Sequence, residues 1–377
     1  MRHIVANHQI LYRSETEWSD YVKKIVIFNS CLERGGAERV TVYLADYFAR
    51  NGIGCDIITL KTGNNEYEVP RNVNRYSLDR QGKHGLANIF ALRSLLKKSS
   101  ADVMLIMGTT NGIYALTACF GLKIKTIISE RNDPQNPTGK KLVNKVAYSI
   151  MKYADGFVFQ TKDAKKYFDK KLGNRGKVIM NPLVTDNIPE VWDGERKKVI
   201  VSAGRYAPQK NQKMLIDAFA RISADYPEYN LDIYGEGALQ SELQQQINAY
   251  GLSERIILRG NVSNLLEVIK DASLFVMTSD FEGMPNALIE GMALGLPCIS
   301  TDCPIGGPKS LIVDGENGLL VPVGDTVALE FAMRRVLDNS QLAQKMGQAA
   351  TNIRKMLDVK NIGIQWKQYF DKIIEGD

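Results

Sequence analysis

The sequence predicts an α/β protein of two domains, each an open parallel sheet covered by helices, facing each other across a central cleft. Three observations predict it. The chain has 377 residues, more than one hydrophobic core usually organises. Short apolar runs alternate with amphipathic stretches, the pattern of βαβ units. The alternation stops over 181–196, a polar segment holding Pro182 and Pro189, and then starts again.

Residues 24–29 (KIVIFN) form a short apolar run suited to a buried strand. Residues 30–36 read as a loop and 37–51 as an amphipathic helix. Further strands are expected at 55–60, 103–107, 126–129 and 156–160, with helical stretches between them. Beyond the linker, strands are expected at 198–203, 231–234, 256–259, 274–277 and 297–300. The boundaries follow: an extension at 1–22, a first domain at 23–185, a linker at 186–197, a second domain at 198–357 and a closing segment at 358–377.

Composition narrows the class. Hydrophobic residues at 44% suffice for two cores, and 24% charged residues is ordinary for a globular protein. The first 20 residues are polar and lack the apolar core of a signal peptide. No apolar stretch reaches the roughly 20 residues a spanning helix needs. Cys31, Cys55, Cys119, Cys298 and Cys303 are odd in number and scattered, which suits reduced thiols in a cytoplasmic protein. Residues 1–190 carry 29 Lys and Arg against 18 Asp and Glu, and the remainder 19 against 24. A basic first half suits an anionic lipid surface or a phosphorylated acceptor, and equally a plain solvated surface. No nucleic-acid recognition motif accompanies it.

Three segments carry candidate chemistry. In 279–291 (SDFEGMPNALIEG), which follows the strand at 274–277, Pro285 and Asn286 suit a helix start. Glu282 precedes that start, and Glu290 lies about one turn inside the helix among apolar residues, where a carboxylate needs a reason. Two carboxylates beside a helix N-terminus suit sugar or ribose hydroxyls next to a phosphate. In 204–211 (GRYAPQKN), Arg205 and Lys210 flank a strand end and form a candidate diphosphate clamp, against the alternative of a capping turn with solvated charges. Gly35 and Gly36 follow the first strand and permit close backbone approach to a ligand. Gly235 and Gly237 read as a short turn, and Pro308 separates Gly307 from Lys309, so neither is a phosphate-loop fingerprint. The three histidines, His3, His8 and His84, form no cluster, and no Asp-x-Asp occurs. No metal site is expected.

Glu282 and Glu290 with seven residues between them, together with Gly204-Arg205 and Lys210, resemble the family 4 retaining glycosyltransferases of GT-B fold. The run Asp302-Cys303-Pro304 followed by Gly307-Pro308 is similar to the branch that builds bacterial surface polysaccharides on lipid diphosphate carriers. The resemblance covers roughly residues 22–377 and is strongest in the second half. It implies two Rossmann-like domains and no cofactor beyond a nucleotide-sugar donor. It puts Arg205 and Lys210 on the diphosphate and Glu282 on sugar hydroxyls. Gly204, Gly283, Met284, Asn286, Ala287 and Leu288 would line the donor, with Glu290 on the ribose. Gly35 and Gly36 would approach diphosphate and acceptor from the first domain. Where many relatives carry a His after the strand at 126–129, this chain has Ser129-Glu130-Arg131-Asn132-Asp133-Pro134, so Arg131 or Asn132 takes that contact, or the segment is simply a turn. The final helix, around 365–374, would cross back to the first domain.

The expected activity is metal-independent transfer, with retention, of a hexose or N-acetylhexosamine from a nucleotide sugar, with UDP favoured as the nucleotide. The expected acceptor is a glycan on a polyprenyl diphosphate, met at the inner face of the cell membrane. The basic apolar stretch 140–153 and the lysines of 162–171 are the candidate membrane contact. The alternatives are a nucleotide-sugar epimerase of the same fold, disfavoured by scarce histidine, and a binding regulator without turnover.

Overall fold

A computed structural model describes residues 21–33, 35–79, 85–137, 140–173 and 175–376. Among them, thirteen strands form two sheets. The first holds β1 (Lys24–Asn29), β2 (Gly54–Thr59), β3 (Asn74–Ser77), β4 (Val103–Met107), β5 (Lys125–Ser129), β6 (Gly156–Phe159) and β7 (Gly176–Val178) in the order β3-β2-β1-β4-β5-β6-β7. The second holds β8 (Lys197–Ala203), β9 (Asn230–Tyr234), β10 (Ile256–Gly260), β11 (Ala272–Met277), β12 (Cys298–Thr301) and β13 (Leu319–Val321) in the order β10-β9-β8-β11-β12-β13. Every pairing is parallel; Ile25, for example, lies opposite both Cys55 and Val103. Parallel sheets carry helices on both faces, which explains why Ile25, Val26, Ile27 and Phe28 are all fully buried without alternation.

Three of these strands lie outside the expected set. β3 reads Asn-Arg-Tyr-Ser and sits at a sheet edge, where burial demands no apolar run. β7 and β13 have three residues each and hold the far edges of their sheets. Such strands exist because a neighbour offers hydrogen-bonding groups, and periodicity does not record that.

Each sheet reverses its winding at one point, between β1 and β4 in the first and between β8 and β11 in the second. The loops leaving β1, β8 and β11 carry Gly35-Gly36, Gly204–Lys210 and Ser279–Pro285. Open α/β sheets bind ligands at the carboxyl ends beside such reversals, because diverging loops leave a crevice there.

The segment after β7 is no loose tether. Asn181 and Leu183 are buried, and Leu183 pairs with the chain as it returns: its N–H donates to Leu357 O at 2.7 Å and its carbonyl accepts from Val359 N at 2.9 Å. The helix Val359–Glu375 then packs on the first domain. Trp366 and Phe370 are fully buried, with the Phe370 ring 5.6 Å from Phe48. Tyr369 Oη accepts from Phe157 N at 2.9 Å and donates to Arg175 O at 3.0 Å. The two domains are thus joined by a doubled crossing.

Candidate functional site

The loop after β8 is held in place by a second loop that leans on it. Gly235 has φ +139°, and a β-carbon there would lie 2.1 Å from Gly204 O; one on Gly237 would lie 2.3 Å from Tyr206 O. Glycine is required at both positions for the loops to meet. Tyr206 fills the space beneath, fully buried, with its hydroxyl donating to Ile233 O at 2.8 Å. Gly235 and Gly237, which look like an ordinary turn in the sequence, therefore shape the loop after β8.

A set of polar contacts then zips this loop to the one after β11. Asp280 N donates to Gln209 O at 2.8 Å, and Gln209 Nε2 donates to Phe281 O at 2.8 Å. Asn211 Nδ2 donates to Asp280 Oδ1 at 2.8 Å, and Thr278 Oγ1 donates to Asn211 O at 3.0 Å. Lys210 Nζ meets Glu282 Oε1 at 2.5 Å, and Ser279 Oγ donates to the same oxygen at 2.7 Å. Lys210 and Glu282 are therefore partners, both largely buried. Arg205 stands exposed at the loop tip. Its charge reaches Glu38 of the first domain, whose carboxyl is pushed above its usual range by burial, while its own backbone N–H and Arg205 pull the other way.

The helix Asn286–Ala293 begins beside this pair. Pro285 precedes it without any side-chain cap, so the N–H groups of its first turn, on Asn286, Ala287 and Leu288, have no partner within the helix. Met284 is buried, and its carbonyl accepts from Asn181 Nδ2 at 3.3 Å. Gly283 is wedged against the first domain: a β-carbon there would lie 2.4 Å from Arg131 O and 2.5 Å from Gln160 Oε1. A β-carbon on Gly36 would sit 3.4 Å from Asn286 Nδ2, so the first glycine loop faces the helix start across the cleft. Glu290 pairs with Arg39, one turn further along the first-domain helix Gly36–Arg50.

Arg131 and Asn132 are placed differently from one another. The Arg131 side chain is buried and turns inward, donating to Asn181 Oδ1 at 2.7 Å and lying over the Trp366 ring at 5.7 Å. Burial holds its guanidinium down at about 9, with Glu130 pulling upward. Its Nε and Nη2 are buried without a protein partner. Asn132 is exposed, and its backbone N–H, like that of Arg131, donates to Glu130 Oε1, at 3.0 Å and 2.9 Å. Asp133 closes the turn by accepting from Gln135 N at 2.8 Å. The Arg131 side chain thus braces Asn181 and the returning helix from within the first domain, and of the two residues only Asn132 presents itself to solvent.

Sequence reasoning passed over Asn181 and the segment around Glu66. Asn181 Oδ1 accepts from Gln160 Nε2 at 2.6 Å as well as from Arg131, and its Nδ2 donates to Asn286 Oδ1 at 2.8 Å, so one amide bridges the domains at the cleft floor. Glu66 Oε1 accepts from Leu32 N at 3.1 Å and Gly63 N at 2.8 Å, and Glu66 pairs with Arg75. Tyr67 N donates to Leu32 O at 2.9 Å, and its hydroxyl accepts from Arg39 Nε at 3.2 Å. This segment therefore props the loop that leads to Gly35. Arg34 and all three histidines lie outside the described residues.

Residues 34–187 match the family Glycosyltransferase Family 4, and residues 185–353 match Glycosyl transferases group 1. The chain belongs to the family 4 glycosyltransferases. It is 28% identical over 355 residues to the GalNAc-alpha-(1->4)-GalNAc-alpha-(1->3)-diNAcBac-PP-undecaprenol alpha-1,4-N-acetyl-D-galactosaminyltransferase of Campylobacter jejuni, covering 91% of this chain and 97% of that one. It is 23% identical over 337 residues to the amylovoran biosynthesis glycosyltransferase AmsD of Erwinia amylovora, covering 87% and 93%. Among solved structures, Anabaena Alr3699/HepE in complex with UDP and glucose superposes with a TM-score of 0.78 at 18% identity, over 92% of this chain and 98% of that one. The sucrose-phosphate synthase of Thermosynechococcus elongatus reaches 0.81 at 18% identity, over 94% and 100%. The fold of this glycosyltransferase is accordingly GT-B, two Rossmann-like domains about a cleft.

Proposed function

We propose that this glycosyltransferase moves a hexose or N-acetylhexosamine, with retention of anomeric configuration, from a UDP-sugar to a glycan carried on a polyprenyl diphosphate. The observation that carries the reading is the convergence of Arg205, the Lys210–Glu282 pair and the uncapped helix start at Asn286 on one side of the cleft. Cations and free N–H groups gathered there suit a diphosphate, and the adjoining carboxylate suits sugar hydroxyls.

The chemistry follows from charge. The anomeric C–O bond breaks, the sugar becomes oxocarbenium-like and negative charge grows on the departing diphosphate. Arg205, Lys210 and the N–H groups of Asn286, Ala287 and Leu288 meet that charge as it develops, which lowers the barrier more than equally strong ground-state binding does. The acceptor hydroxyl attacks from the face the diphosphate vacates, and a phosphate oxygen takes its proton. UDP and the elongated glycan are the products. Glu282 is held by Lys210 and Ser279; in this reading it orients the sugar and is not a free nucleophile. Among the described residues no group of His, Cys, Asp and Glu is assembled to hold a metal, and this reading requires none.

Acceptor and location rest on the relatives and on a surface. The Campylobacter relative acts on an undecaprenyl diphosphate glycan, as its name states. No helix among the described residues is long and apolar enough to cross a membrane. The helices Leu86–Ser99, Gly112–Cys119 and Lys141–Ile150 lie side by side on the first domain. They and the turns at their ends expose Leu86, Phe90, Phe120, Leu142, Val143 and Tyr153 beside Lys140, Lys141 and Lys145. That mixture suits peripheral contact with an anionic leaflet.

The deciding experiment incubates the purified protein with a panel of UDP-sugars and polyprenyl-diphosphate glycans and reads products by mass. One sugar added to a lipid-linked glycan is the expected result. Donor hydrolysis without transfer to any acceptor would refute the acceptor class, and binding without any turnover would favour the regulator.

A further inference from the structure

Glu290 and Arg39 are 251 residues apart in sequence and belong to different domains, yet they form an ion pair across the cleft. The pair is mostly shielded from water, with 15% of the Glu290 side chain and 28% of the Arg39 side chain exposed. Arg39 is itself held: its Nε donates to Tyr67 Oη at 3.2 Å, and Tyr67 is tied through its backbone N–H to Leu32 O. The guanidinium is thus held at Nε from its own domain while Nη1 meets the carboxylate, which limits the orientations Glu290 takes. A carboxylate offers about four acceptor sites. Arg39 engages Oε1 of Glu290, which leaves capacity for a diol. Burial opposes the charge on Arg39, but Glu290 and Tyr67 outweigh it and hold the guanidinium's pKa above its usual value.

We propose that Arg39 is a positioning residue for the donor nucleotide: reaching from the first domain, it orients Glu290 for the ribose, so that the ribose is recognised only in the closed cleft. The proposal rests on the reading of the second domain as the donor domain with Glu290 at the ribose. It adds that the orientation of Glu290 toward the ribose is set from the first domain. An open cleft separates Arg39 from Glu290 and leaves the carboxylate unaligned. Donor binding and domain closure are then one coupled event.

The experiment titrates UDP and 2′-deoxy-UDP into the wild type, Arg39→Ala, Arg39→Lys and Glu290→Gln by calorimetry, with small-angle scattering of each unliganded protein. The wild type is expected to prefer UDP about tenfold, the loss of one hydrogen bond to a charged group. In Arg39→Ala that preference falls to about one and the radius of gyration rises, while Arg39→Lys recovers part of both. A general structural role for Arg39 weakens both nucleotides equally and leaves the preference intact, which overturns the proposal. Tighter binding of UDP to Arg39→Ala than to the wild type also overturns it, because the ion pair would then compete with the ribose. Failure of the donor reading looks different: the wild type would bind none of UDP, GDP and ADP, all of which carry the same ribose.

Discussion

The two walls of the cleft are built in opposite ways. The second-domain wall is local. Residues 204–212 and 278–290 hold one another through Gln209, Asn211, Thr278 and the Lys210–Glu282 pair, and every one of these contacts stays inside that domain. The first-domain wall is assembled from distant pieces. Glu66 props Leu32, Tyr67 holds Arg39, and Asn181 joins Arg131 to Gln160. A wall that must hold a diphosphate at fixed geometry gains from local contacts, which survive domain motion. A wall that accepts different glycans gains from loops that vary separately.

The sharpest way to test this contrast is to remove one charge from the rigid wall. Arg205→Ala and Lys210→Ala are each expected to cut turnover by about 10²–10³ without loss of folding, as removal of a group that meets developing charge does. Lys210→Ala also leaves Glu282 without its cation, so sugar selection is expected to loosen in that variant and not in Arg205→Ala. The measurements are single-turnover rates and relative rates across UDP-sugars. Wild-type turnover in both folded variants refutes the clamp.

The next test attacks the seam between the walls. Gly283→Ala puts a β-carbon 2.4 Å from Arg131 O, a backbone atom that cannot step aside. The second domain keeps its own contacts, so the variant is expected to fold with little loss while closure suffers. Turnover should fall about tenfold, equivalent to ~1.4 kcal/mol of closure energy. Scattering should show a more open protein in the presence of UDP. Wild-type closure in this variant would show that the seam yields more readily than its geometry indicates.

The same contrast explains what the sequence discloses. The second-domain site is legible because its chemistry is contiguous: Gly204, Arg205 and Lys210 lie within seven residues, and Glu282 and Glu290 share one strand-to-helix connection. The sheet strands are legible because burial on both faces writes continuous apolar runs such as Ile25–Phe28. The first-domain wall is not legible, since Arg39 finds its partner 251 residues away and Asn181 looks like part of a linker. Arg131 shows the limit most plainly. Its position after β5 suggests a cleft-facing contact, but its backbone follows Glu130 into a tight turn and its side chain is drawn inward by Asn181 and Trp366. No local pattern distinguishes the two outcomes.

A smaller effect probes the props of the first-domain wall by pH. Burial alone would raise the Glu66 carboxyl, but Arg75 and the N–H groups of Gly63 and Leu32 overcome it and hold the carboxyl down from 4.5 to about 2. A carboxyl with a depressed folded value contributes stability above its unfolded value and loses it as pH falls through the folded one. Glu66→Gln is therefore expected to lower the thermal midpoint at pH 7, with the gap to wild type closing between pH 4.5 and 2. A gap that persists unchanged at pH 2 would show that Glu66 acts through shape and not through its charge.

The smallest effect on the chemistry itself is expected where the first domain faces outward. Leu142 and Val143 lie on a helix whose inward positions are Asn144 and Ala147, so their exposure is set by the helix and not by a failure to pack. Val146 shares that outer side, with Lys141 and Lys145 flanking it. Lys162, Lys166, Lys170 and Lys171 are exposed on the helix Lys162–Leu172 that follows. Each lysine near an anionic surface contributes about 1 kcal/mol, and a few apolar side chains entering the headgroup region add to it, so the attachment is reversible and weakened by salt. The wild type is expected to sediment with phosphatidylglycerol vesicles at low salt and to be released at high salt. Replacing Leu142, Val143 and Val146 with Ser, or neutralising Lys162, Lys165, Lys166, Lys170 and Lys171, should each weaken that binding about tenfold or more. Neither change reaches the donor wall, so turnover on a short, water-soluble acceptor should match wild type while turnover on vesicle-embedded acceptor falls. Sedimentation unchanged in both variants would remove this face as the membrane contact. Equal loss on both acceptors would mean that these residues support the fold of the first domain and that its outer face is not a separate docking surface.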